Sequence, residues 1–173
     1  MVAVADDPRF RRFFQGMDHA DVKSISADVS LREFIAGMLS YHPWWLSVLF
    51  RVREILVNLL GLVKHDVPDR SAELTANAVS FVPGDRSLFF IVREAQENRF
   101  WVAETPPDKH LTAYLGVVAK RLDDGMTRFS VFTTVRYLHW TGPLYFNLIR
   151  PFHHLVVARM MAAAKTASRT PQP

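Results

Sequence analysis

The chain has 173 residues, 49% hydrophobic and 22% charged, a balance that builds a globular core and excludes a disordered chain. It contains no cysteine, which excludes disulfides, thiolate catalysis and zinc–cysteine sites. The net charge of +4 is spread along the chain and accompanies no recognition motif, which argues against nucleic acid as the partner.

The length predicts a single domain at 18–168, with an N-terminal extension at 1–17 and a disordered tail at 169–173. The N-terminus, MVAVADDPRFRRFF, sets Asp6 and Asp7 beside Arg9, Arg11 and Arg12 and leaves no apolar run for a signal peptide. With the missing cysteines, that layout predicts a cytoplasmic protein.

Residues 20–29 read as a short strand. Ser30 and Glu33 then form an S-x-x-E capping box, and Val29 and Phe34 stand where a hydrophobic staple closes. The helix they open ends near Tyr41. Pro43 sits in the first turn of a second helix, which runs to about Leu60 and is capped by Gly61. On it Trp44, Trp45, Val48, Leu49, Val52, Ile55, Leu56, Leu59 and Leu60 share one face, with Ser47, Arg51, Glu54 and Asn58 opposite. Arg51, Arg53 and Glu54 break the apolar run, so the helix cannot span a bilayer and no stable membrane insertion is expected. Two readings remain for the paired tryptophans: packing against the helix's own domain, or an interfacial helix. Residues 64–73 are polar and read as a linker.

The period then changes to two. Strands are predicted at 74–82, 87–94, 99–105, 110–121 and 127–139. Turns fall at Pro83-Gly84-Asp85, at Ala95 to Asn98, in a loop at Thr105 to Asp108, and at Asp123-Asp124-Gly125. Leu111, Ala113, Leu115, Val117 and Ala119 share a face, as do Phe129, Val131, Thr133, Val135 and Tyr137. Last comes a long helix from Thr141 to about Ser168, with Pro151 predicted to kink it near 147–150. The order specifies an α+β fold: a curved antiparallel sheet of about six strands wrapped on a long C-terminal helix, with two short helices after the first strand.

This order resembles the helix-grip fold of the START and birch-pollen-allergen superfamily, which also includes polyketide cyclases. More narrowly, the chain is similar to the family catalogued as domain of unknown function 2867. The segments that carry the resemblance are PWWLSVLFRVREILVNLLGL at 43–62, DKHLTAYLGV at 108–117 and FTTVRYLHWTGPLYFNLIRPFHHLVVARMM at 132–161. Relatives are sometimes fused to a nucleotide-binding, epimerase-like domain. This chain has no glycine-rich dinucleotide fingerprint, so the resemblance implies a stand-alone form. It also implies a cavity between sheet and last helix for a small hydrophobic or amphipathic molecule, while a minority of the superfamily catalyse reactions.

On the last helix Leu144, Tyr145, Leu148, Ile149, Phe152, Val156 and Ala163 fall within one arc, expected to face inward, and Arg159 falls inside it. A charge on an apolar face needs a partner or a route to water. Arg159 either holds an anionic group in the cavity or snorkels to its rim. Glu94 and Glu104 end two strand faces, either as solvated rim residues or as the partner of Arg159 in acid–base chemistry. The expected apolar walls are Phe90, Phe100, Leu115, Phe129, Val131, Phe152 and Val156. The expected polar anchors are Arg159, Tyr145, Thr133, Tyr137 and Glu104.

The leading expectation is therefore a small-molecule-binding domain. The alternatives are a cyclase, dehydratase or isomerase in the same cavity, and an interaction module acting through the Trp44-Trp45 helix. No cofactor is expected. A metal is not expected either: His153 and His154 lie about 100° apart on the helix and lack the i, i+4 spacing of helical zinc sites, and His110 lies apart at a loop-to-strand junction. A G-x-S-x-G nucleophile motif is absent, and nothing in the pattern specifies an oligomer.

Overall fold

The computed structural model describes residues 4–49, 51, 74–106 and 111–166, with the Tyr145 side chain excepted. The greater part of the predicted second helix, the 64–73 linker, His110 and the predicted tail lie outside the described residues.

Strand β1 (His19–Ala27) leads into helix α1 (Leu31–Leu39). The capping box forms as the sequence predicts. Ser30 Oγ accepts from the Glu33 amide at 3.2 Å, and Glu33 accepts from the Ser30 amide at 2.7 Å. The Ser30 amide, and then the Ser30 hydroxyl, hold the Glu33 carboxyl below its usual pKa. Replacing Ser30 by Ala is expected to cost about 1 kcal/mol of stability, read as a lower urea midpoint at unchanged slope.

Residues 44–49 are helical. Leu46, not Trp44, takes the buried side there: Trp44 is 81% exposed, while Trp45 packs edge-on against Tyr41 at 6.3 Å. The predicted face of that helix therefore does not point inward at its start.

The predicted strand at 74–82 is not a strand. Its backbone takes a 3-10 turn at Ala76–Ala78, and several of its carbonyls are taken by side chains instead of a ladder. Trp101 Nε1 donates to Ser80 O at 3.0 Å and Arg32 Nη1 donates to Val79 O at 2.6 Å. The sixth strand comes from the next segment, which splits at Leu88. That residue adopts φ 55, which separates β2 (Arg86–Ser87) from β3 (Phe90–Gln96).

Strands β4 (Phe100–Glu104), β5 (Leu111–Arg121) and β6 (Thr127–Tyr137) complete a six-stranded antiparallel sheet, ordered β1-β6-β5-β4-β3-β2. Helix α2 (Thr141–Thr166) follows and runs through Pro151. A curved antiparallel sheet with a long C-terminal helix against one face is the helix-grip arrangement.

Strand alternation divides the sheet into two faces. The inner one carries Ala27, Phe129, Val131, Val117, Trp101, Ala103 and Val92, packed with Phe34, Ile35 and Met38 of α1 and Val157, Met161 and Ala164 of α2. Phe34 stacks on Phe129 with ring centres 4.1 Å apart and planes 6° from parallel. The outer face carries Phe100, Val102 and Phe132 and is covered by Phe10 and Phe13 from the N-terminal segment. That segment thus has an apolar core of its own against the sheet.

Candidate functional site

The inner face changes character along its length. Pairing of β1 with β6 sets His19 against Val135, Asp21 against Thr133 and Lys23 against Val131. The period of two then aims His19, Asp21 and Lys23 toward α2, on the face that farther along carries Ile25 and Ala27. Helix α2 answers with Phe146, His153, Val157, Met161 and Ala164, which recur every three or four residues apart from one longer step. Its C-terminal part closes the apolar core, and its middle brings His153 and His154 to the polar end of β1.

Asp21 is the centre of that end. One oxygen, Oδ2, accepts from Lys23 Nζ at 2.6 Å and lies 3.1 Å from His154 Nδ1. Lys23 Nζ also lies 3.3 Å from His154 Nδ1. These contacts exclude one another at the ring: Nδ1 carries a proton to meet Asp21, or a lone pair to meet Lys23. Burial works to raise the Asp21 carboxyl, but the hydrogen bond and charge of Lys23, helped by His154, hold it below its ordinary value.

Beside this triad stand two neutral imidazoles. Burial, reinforced by His154, pushes His153 down to about 4. Burial, then the Arg150 charge, lowers His19. Phe146 separates the groups: its ring centre lies 4.9 Å from His19, 6.1 Å from His153 and 6.0 Å from Tyr137. Among the described residues no partner meets the buried Nε2 of His19 or of His153. Each is a donor or an acceptor according to tautomer, so each can meet a hydroxyl, an amide or a carboxyl group. The described residues contain no set of three or more His, Asp or Glu placed to hold a metal ion.

Of the residues expected to line the site, Phe90, Leu115, Phe129 and Val131 are buried in the inner core, and Thr133 is buried on the same face. Tyr137 shares that face, and burial, then Asp18, raises its phenol. Val156 is half-buried beside the more deeply placed Val157. The Tyr145 side chain lies outside the described residues.

Four placements are corrected. Phe100 lies on the outer face, edge-on to Phe10 at 5.3 Å. Glu104 is also outside, where it accepts from Thr112 Oγ1 at 2.7 Å and pairs with Arg93 at 2.5 Å. Phe152 is 47% exposed, and Arg159 is exposed as well. Glu94 pairs with Arg12. The inner arc of α2 is Phe146, His153, Val157, Met161 and Ala164, roughly 130° around from the predicted arc, because the helix is apolar on both sides and its period does not choose between them. Arg159 and Glu104 consequently lie on opposite sides of the sheet, so of the two readings left open for them the acid–base pair is not made.

The sequence carried one unread signal. His19, Asp21 and Lys23 alternate along a strand that continues into apolar residues on the same face, so they had to point inward with them.

Over residues 13–160 the chain matches the family described as protein of unknown function (DUF2867). The chain belongs to this family. No curated protein matches it. Among solved structures it is similar to Ara h 8.0201, at 7% identity over 84% of this chain and 97% of that one, with a TM-score of 0.42. It is also similar to the Mll3558 protein from Rhizobium loti, at 10% identity over 84% and 96% of the two chains, with a TM-score of 0.44. The hypothetical protein jhp0584 from Helicobacter pylori is 10% identical, with 95% and 98% of the chains covered and a TM-score of 0.45. This DUF2867 chain joins the helix-grip architecture to an inward polar cluster at one end of its sheet.

Proposed function

We propose that this DUF2867 protein binds a small amphipathic molecule between the inner face of its sheet and α2. The ligand's apolar part lies along Leu115, Val131 and Phe146. Its polar end meets His19 and His153, with Thr133 and Tyr137 beside them. One observation carries the reading: two buried imidazole nitrogens have no partner among the described residues. Native proteins leave few buried polar atoms unpaired, and those left are where a water or a ligand belongs. Apolar walls with a few convergent polar groups are the usual make-up of a ligand site.

Native mass spectrometry of protein purified from its source is expected to show a bound species that dissociates on activation. A fluorescent fatty acid should bind the emptied protein, with affinity about tenfold lower for His153→Leu, the loss of one buried hydrogen bond. Protein that carries no co-purified species and leaves the fluorescent fatty acid unbound would sink the reading.

A further inference from the structure

Helix α2 is apolar on the side turned away from the sheet as well as on the side that packs against it. Leu144, Leu148, Phe152 and Leu155 follow one another at steps of four, four and three, and each is 45–53% exposed. At 3.6 residues per turn these positions form one continuous row along the outside of the helix. Trp140, 76% exposed, stands one turn before Leu144. A helix apolar all round is normally covered on every side, and an outward apolar row of this length marks a contact surface.

The charge on the helix identifies the contact. Its 26 residues include no Asp or Glu. Its formal charges are Arg150, Arg159 and Lys165, all exposed, and Arg159 lies on the row itself, one turn beyond Leu155. The whole chain is also positive, at +4.

We propose that the outer face of α2 docks reversibly on an anionic lipid bilayer. The leucines and Phe152 enter the boundary between headgroups and acyl chains, Trp140 lies at headgroup level, and Arg159 meets a lipid phosphate. Docking is interfacial: no helix among the described residues is long and apolar enough to cross a membrane. This face is turned away from the His19 and His153 cluster, so docking does not depend on the ligand proposed above.

Co-sedimentation of the full chain with vesicles tests the proposal. Binding is expected to vesicles of phosphatidylcholine mixed with phosphatidylglycerol, to weaken with salt, and to be absent with phosphatidylcholine alone. Arg159→Gln should lower partitioning about fivefold. The double variant Leu148→Ser, Phe152→Ser should lower it by at least about tenfold. These side chains are already half exposed, so the variants should keep the wild-type circular dichroism and melting temperature.

Wild-type protein that stays in the supernatant overturns the proposal. So does binding that the α2 substitutions leave unchanged but Trp44→Ser abolishes, which assigns docking to the helix at 44–49. A dimer that the double variant dissolves, without vesicle binding by the wild type, assigns the row to a second copy and overturns it too.

Discussion

Folding stability is expected to fall by about 3 kcal/mol as the pH drops from 6.5 to about 4. His153 is the main cause. Its imidazole titrates near 6.5 in the unfolded chain and near 4 in the fold, so between those values the unfolded state binds more protons and stability rises with pH. Above 6.5 both states are neutral there and the penalty vanishes. His19, lowered by the same burial, adds to the slope within that window.

The other shifted groups near this end act elsewhere. Asp21 is held below its ordinary value, so its stabilisation is present above about 3.8 and is lost only under more acid conditions. Glu33 contributes above about 4.5 and loses its contribution below that value. Urea denaturation across the range measures the slope. His153→Leu should flatten most of it while changing stability little near neutrality, because it removes a buried nitrogen that has no partner among the described residues. An equally steep slope in that variant would show that His153 is not the group responsible.

Gly116→Ala is expected to destabilise the protein by about 3 kcal/mol, at the upper end of what overpacking costs. A Cβ built at this position on β5 would lie 2.1 Å from two carbons of the Phe132 ring. That ring is fully buried and cannot move aside readily. Phe10, Phe13 and Phe14 surround it, with ring centres 6.0, 6.4 and 5.0 Å away. Combining Gly116→Ala with Phe132→Leu should recover part of the loss, so the double variant is more stable than the sum of the two single effects. A Gly116→Ala protein within half a kcal/mol or so of wild type would mean that the outer aromatic layer has room to shift.

Local signals in the chain were read correctly where local physics decides. The Ser30 and Glu33 box is a contact between neighbours in sequence, and it forms as expected. The faces of β5 and β6 follow from their strict alternation, and their pairing sets Leu115 opposite Thr133 as a meander requires. Misreadings arose where a distant segment decides. Phe100 and Val102 alternate as a buried face should, but Phe10 and Phe13 bury them from the far side of the sheet. Nothing near residue 100 announces that cover. Helix α2 misled for the opposite reason: with apolar residues on both sides, it left its orientation to be chosen by packing, and the inward residue became His153 in place of Phe152. The strand predicted at 74–82 failed because its carbonyls are claimed by Trp101 and Arg32. The polar cluster itself was half legible, since alternation aims His19, Asp21 and Lys23 together, but only the tertiary fold brings His154 to Asp21.

The sheet order has a consequence for biosynthesis. β1 is an edge strand whose ladder partner in the sheet is β6, with His19 opposite Val135 and Ala27 opposite Thr127. On the ribosome the first strand is therefore made long before its mate, and it waits while the helices and four intervening strands emerge. Pairings this remote in sequence close slowly, on the millisecond-to-second scale of sheet-dominated folds. A nascent chain stalled before β6 would present β1 with an open edge and half-apolar sides, the kind of segment that chaperones bind and that recruits other strands.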